Sequence, residues 1–418
     1  MSNGYKLFGV PINNRVTIYF LLICLYYIVN VTTSSANSGM SGQLIAESNI
    51  YNQLMGGLII TYSLFFAVKG STKGMRSAPL YKVSATMIAW MLLRHFVFYI
   101  NDPSSSMREI NSIFNTIYWF SAILFGIVNF RRIDKSSLNK LIILTVCVVS
   151  VFLMYRTITQ KAILSEWGIT AGINVAGSAY MLIPLVLYAF KGKFRLLMLL
   201  VCAFICVYSA KRQAVLGLGI ILLFVSKDLI RLYFKQFRFY GILLIIAAVI
   251  WGNDYVNSAF EDLFTRQEEI EDTGGPVDSG RSELRAAAME GYKEASFSSQ
   301  FFGGGTGVSS KYVEIHTGTY NAPHCGFIQI LCDYGIVGLA IFLFFFFNLL
   351  KWSTNFRRFS QDQLVYLSLV LVWINFNIVS HASNMFAVYL SMAYAYLYTY
   401  KLNYNFCVLG YSKDIIKI

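Results

Sequence analysis

Arg281 and Arg285 stand four residues apart in DSGRSELRAAAMEGYKE, a stretch from Asp278 to Glu294 rich in Ala, Glu and Arg. Asp278 or Ser279 is a plausible cap, and the composition predicts a short helix. Four-residue spacing puts both guanidinium groups on one helix face. A third, Arg212, adjoins Lys211 between two apolar runs, and His324 follows Pro323 at the start of another. Arginine is permanently charged, and its planar fork of donors matches phosphate oxygens, so a group of them suits a pyrophosphate. A histidine imidazole can take a proton from an attacking hydroxyl near neutral pH. Gly303, Gly304 and Gly305 lie between these elements, and their backbone N–H groups could approach an anion closely. They are not followed by the Gly-Lys-Ser/Thr ending of a nucleotide loop. Each residue also has a plainer reading: a surface arginine pairs with a headgroup or a carboxylate, and a lone histidine caps a helix.

These groups sit in a chain built for a membrane. Of 418 residues, 56% are hydrophobic and only 13% charged, against roughly 25% charged in ordinary globular proteins. About twelve spans of ~20 residues would absorb nearly the whole apolar inventory. That excludes a secreted domain and a nucleic-acid partner, although the net charge is +13. The basic excess instead reads as the Lys/Arg bias that holds membrane loops in the cytoplasm. The seven cysteines show no metal-ligand or CxxC spacing, so neither a metal nor another cofactor is expected.

Apolar runs fall at 16–31, 50–68, 80–100, 111–130, 140–155, 173–190, 195–210, 213–230, 238–252, 325–350, 364–380 and 385–400. Basic residues gather in alternate gaps, among them Lys69/Lys73/Arg76, Arg131/Arg132/Lys135 and Lys351/Arg357/Arg358. With both termini in the cytoplasm, about two thirds of the Lys and Arg residues lie inside, which favours an even number of spans. The chain then divides into nine spanning helices over 1–251, a long external loop with short helices over 252–323, and three spanning helices with a cytoplasmic tail over 324–418. In the loop, acidic residues outnumber basic ones more than two to one. Asp333, inside the tenth run, and Arg94, near the outer end of the third, are charges close to hydrocarbon and therefore functional candidates. Asp333 is nine residues from His324, ~13.5 Å along a helix, too far to orient its imidazole.

The order of these pieces resembles the O-antigen ligase/O-antigen polymerase superfamily of bacterial envelope glycosyltransferases. NAPHCGFIQILCDYGIVGLAIFLFFF is similar to the family's His-bearing helix, with His324, Phe327, Asp333, Gly335, Gly338 and Leu339 matching and Cys325 in place of the usual Asn. GRSELRAAAME followed by FFGGGTGV resembles the external arginine helix and its Gly-x-Gly turn. VYSAKRQAVLGLG resembles the Ser-x-Arg segment, with one extra residue before Arg212, and GINVAGSAYMLIPL the family's Asn-containing entry to a span, with Asn174 and Pro184 matching.

The resemblance implies an all-α, polytopic, GT-C-like glycosyltransferase of the bacterial inner membrane, its active site facing the periplasm. Its substrates would be glycans on undecaprenyl pyrophosphate, and its chemistry inverting and metal-independent. Arg212 and Arg281, with Arg285, Lys211, Asn174 and the glycine run binding substrate, would hold the pyrophosphate, and His324 would serve the acceptor hydroxyl. The first reading is a polymerase of O-antigen or capsule repeat units, working with a chain-length regulator and a flippase; the second is the ligase that moves the glycan to the lipid A core. A transporter of the same lipid-linked sugars would require polar residues along a mid-membrane path and two similar halves, and neither is visible in the sequence.

Overall fold

The computed structural model describes residues 6–7, 10–11, 14–34, 50–76, 78–101, 110–166, 179, 182–208, 218–219, 281–356 and 361–379. Outside a two-residue antiparallel ladder, Lys6–Leu7 against Val10–Pro11, the regular structure of these residues is helical. The helices are α1 (Arg15–Ser34), α2 (Ile50–Gly70), α3 (Lys73–Arg76), α4 (Pro79–Asn101), α5 (Ile110–Asn129), α6 (Lys135–Glu166), α7 (Ile183–Ala189) and α8 (Gly192–Tyr208). After the undescribed stretch come α9 (Arg281–Glu294), α10 (Phe297–Phe302), α11 (Val308–Thr317), α12 (Gly326–Ser353) and α13 (Gln361–Val379).

Local chemistry sets the helix starts. Asn14 Oδ1 accepts from the Val16 N–H at 2.9 Å, and Asp134 Oδ2 from the Ser137 N–H at 2.8 Å, each satisfying a donor that a first turn leaves without a partner. Hydrogen bonds from Ser137 hold the Asp134 carboxyl below its usual range. Proline opens α4, where its missing N–H costs nothing.

The helices pack through aromatic layers: Tyr19 of α1 stacks on Phe125 of α5 at 4.2 Å, and Phe345 of α12 meets Trp373 of α13 edge-on at 5.3 Å. By length and apolar content, Pro79–Asn101, Lys135–Thr159 and Gly326–Ser353 could each cross a membrane. Arg15–Val29, Leu54–Gly70 and Gln363–Asn375 are shorter apolar helices. The expected count of twelve spans is not established: the runs 238–252 and 385–400 lie outside the described residues, 213–230 does so except for 218–219, and 173–190 is described only at 179 and from 182 on.

Basic residues converge on one end of this bundle. Arg15 stacks over Phe66 at 4.7 Å, Arg132 Nη2 donates to the Gly70 carbonyl at 3.1 Å, and Lys135 Nζ lies 5.7 Å from the Tyr188 ring. The loop helices instead meet α4 further along, through Trp90, Arg94 and Phe98. Under positive-inside logic these ends face opposite sides. Cysteines placed at exposed Glu283 or Thr319 in a cysteine-free background are therefore expected to react with an impermeant reagent in intact spheroplasts. One placed at exposed Ser136 should react only after disruption. The reverse pattern would invert the topology. Ser309, though in the same loop, is fully buried and unsuited to labelling.

The His-bearing helix departs most from expectation. A continuous run was expected over 325–350, but α12 breaks at Gly335, whose φ of 72° and ψ of −174° lie in a region essentially reserved for glycine. In an unbroken helix Phe327 and Phe346 would be ~28 Å apart. Their rings are 6.0 Å apart, and Phe327 is 5.7 Å from Phe342. The chain therefore doubles back at Gly335, and Gly326–Tyr334 forms a first arm laid against the second. The second arm, 336–353, is ~27 Å long, close to the thickness of a hydrocarbon core.

Candidate active site

The break leaves the first arm's last carbonyls without helical donors. Other elements supply them. The Gly304 N–H donates to the Cys332 carbonyl at 3.4 Å, the Gly305 N–H to that of Asp333 at 2.9 Å, and Trp90 Nε1 to that of Tyr334 at 3.0 Å. The Gly303 N–H is taken by Ser299, and the Gly303 carbonyl accepts from Arg94 Nη2. All three glycine amides are thus engaged inside the protein. They seat the loop on α12, whereas the sequence suggested amides aimed at an anion.

A Cβ at Gly303 would collide with the backbone of Asp333 and Tyr334, and one at Gly335 with the backbone of Gly303 and Phe301. The two chains cross at a distance only glycine allows. Asp333 is 1% exposed, and its Oδ1 accepts the Ser309 N–H at 2.8 Å in the first turn of α11. There the carboxylate meets the positive end of a helix dipole. It lies before the break, between α11 and α12, rather than part-way down a continuous span. Thr306 Oγ1 and the Tyr334 hydroxyl share a further hydrogen bond of 2.9 Å.

The loop helices close over the first arm through a small apolar cluster of Ala288, Val313 and Cys332, flanked by Leu284, Tyr292 and Tyr312. Burial pushes the Tyr312 phenol up to about 12, with Cys332 and Asp333 adding to the effect, and raises that of Tyr292 as well. His316 of α11 lies 3.4 Å from Glu294 and 3.9 Å from Glu290, tying α11 to the outer face of α9.

On this scaffold α9 meets the histidine turn. Arg285 Nη2 donates to the His324 carbonyl at 3.2 Å and to the Ile378 carbonyl, at the end of α13, at 3.0 Å. His324 has φ 48°, the one non-glycine residue with positive φ among those described. Such conformations persist only where neighbours enforce them, and they concentrate at functional sites. Arg281, one turn before Arg285, is partly exposed on the same helix. Among the described residues no group of three or more His, Cys, Asp or Glu side chains is placed to hold a metal ion. Of the residues expected at the site, the structure thus brings Arg285 against the His324 backbone, with Arg281 on the adjoining turn. Arg212, Lys211 and Asn174 lie outside the described residues.

Residues 197–343 match the O-antigen ligase family model. The match covers about a third of the chain, and over it the resemblance to the O-antigen polymerase/ligase superfamily is borne out. The matched stretch takes in Arg212, α9 to α11, His324, Asp333 and the Gly335 break, and it ends within α12. It leaves out Asn174, and also α4 and α13, whose Trp90, Arg94 and Ile378 close the arrangement from outside the match. No curated protein matches the chain.

Two contributors were not singled out in the sequence, and a third was singled out without its partner. Ile378 acts through its carbonyl and leaves no side-chain signal. Trp90 looks like any aromatic of an apolar helix. Arg94 did carry a signal, as a cation in an apolar run, but its partner is a carbonyl more than two hundred residues away.

Proposed function

We propose that the protein is a membrane glycosyltransferase that polymerises oligosaccharide repeat units carried on undecaprenyl pyrophosphate, at the periplasmic face of the inner membrane. The observation that carries this reading is the docking of the arginine helix on the histidine turn, inside the stretch that matches the O-antigen ligase family. An acceptor hydroxyl on one carrier-linked unit attacks the anomeric carbon of the growing glycan on another. The new glycosidic C–O bond forms as the bond to pyrophosphate breaks, and the electron pair leaves with the carrier pyrophosphate. His324 takes the hydroxyl proton. Arg281, with Arg212 and Lys211, stabilises the charge that develops on the leaving pyrophosphate. Arg285 acts mainly by position, because Nη2 is spent on two carbonyls that join α9, α12 and α13. Asn174 would help bind the sugar at the entry of its span. The glycine run contributes by holding the loop in place.

The ligase shares the donor and differs in acceptor, so a deletion strain separates the two. Loss of the polymerase is expected to leave a single repeat unit attached to the lipid A core, since a separate ligase remains. In a capsule-forming organism the high-mass polymer should vanish while short carrier-linked units persist. Bare core on a gel of extracted lipopolysaccharide would assign the ligase instead. Purified protein should keep its activity in chelator, and a strict need for a divalent ion would overturn the metal-free mechanism.

A further inference from the structure

We infer that α10 is an interfacial element whose Phe297, Phe301 and Phe302 side chains enter the hydrocarbon edge of the bilayer, on the side where α9 and α11 sit. This does not depend on the glycan chemistry. The second arm of α12 exposes Ile336, Leu343, Phe344, Phe347 and Leu350, and their spacing makes one continuous helical stripe. An apolar stripe of that length on a helix long enough to cross the membrane faces lipid.

The α10 helix touches the first turn of that stripe. The Phe301 carbonyl lies against Gly335, the residue before Ile336. On the other flank the Phe302 ring is 6.2 Å from Trp90 of α4, a helix that exposes Leu93 and Phe96. The apolar face of α10 therefore continues two lipid-facing surfaces and bridges them. Phe297 stacks on Phe301 at 6.0 Å and is 79% exposed, which few aromatic side chains of a water-facing helix would be. Gln300 and Ser296 spend their polar atoms on neighbouring backbone. The Gln300 side-chain amide donates to the Lys293 and Ala295 carbonyls at 2.9 and 3.0 Å, and Ser296 Oγ accepts the Ser299 N–H at 3.2 Å. A short helix that presents aromatics and continues two lipid-facing surfaces suits an element lying in the interface plane.

The test uses the full chain, with native cysteines replaced, in phospholipid nanodiscs. Single spin labels are placed at Phe297→Cys and Phe301→Cys, with Phe344→Cys as the lipid-facing control and Glu283→Cys as the aqueous one. Collision rates with oxygen, which partitions into lipid, are compared with those of a water-soluble nickel chelate. At positions 297 and 301 oxygen is expected to exceed nickel several-fold, as at 344, and the ratio should invert at 283. A ratio at 297 and 301 like that at 283 would place α10 in water. Low collision rates with both reagents would mean that protein covers it. Either result overturns the inference.

Discussion

Arg281→Ala is expected to cut polymer formation by roughly a hundredfold or more, the usual cost of removing one donor that stabilises charge in a transition state. His324→Asn should cost about as much, since a positioned proton acceptor contributes roughly 10²–10⁴-fold. Asparagine is the informative replacement because it accepts the positive φ that residue 324 adopts. The turn is then kept and only the imidazole is lost. Arg281→Lys keeps the charge but not the planar fork, so it should recover a small part of the activity. Arg285 should behave differently. Its Nη2 holds the His324 and Ile378 carbonyls, so Arg285→Ala should loosen α9 as well as lower turnover, and protease should nick the loop faster. The measurement is polymer formed from lipid-linked repeat units by membranes containing each variant, normalised to the protein present. Wild-type yield from both Arg281→Ala and His324→Asn would remove the proposed chemistry from this site.

The sequence made the helical character, the arginine helix and the histidine turn legible because each depends on local information. The spacing of Arg281 and Arg285 needs no knowledge of the rest of the chain, while the expected cap at Asp278 or Ser279 lies outside the described residues. The reversal at Gly335 was not legible. Apart from Asp333, Cys332 to Leu339 reads as part of one apolar run, and glycines are common enough in spanning helices that Gly335 alone marks nothing. What breaks the helix is a long-range event: the Gly303 backbone crosses there and Trp90 supplies a donor from α4. Asp333 was misplaced for the same reason. In a straight helix it would lie part-way down the span, whereas the fold-back puts it at the N-terminus of α11. Periodicity reports which face of a helix is apolar, but not whether the helix continues.

That crossing gives the second large effect, on stability. Gly335→Ala must place a Cβ where the Gly303 and Phe301 backbones already lie, at φ 72° and ψ −174°. The backbone conformation alone costs a non-glycine residue about 1–3 kcal/mol. The collision adds about 1–3 kcal/mol, and backbone cannot move aside as a side chain can. Gly303→Ala, at φ 90° and ψ 154°, meets the same contact from the other side. Each variant is expected to lower the unfolding temperature in detergent, to expose the 303–320 segment to protease, and to lose activity with Arg281 and His324 intact. Gly318→Ala is the control. Its φ of 73° carries backbone strain, but nothing lies within 4 Å of the added methyl, so its cost should stay near the strain alone, about 1 kcal/mol. The double variant Gly303→Ala/Gly335→Ala should cost less than the two singles together, because once the crossing has opened the second methyl has little left to displace. If instead Gly335→Ala melts with the wild type, α12 has room to run straight. His324 would then be carried away from the end of α13, and the arginine helix would have nothing to dock on.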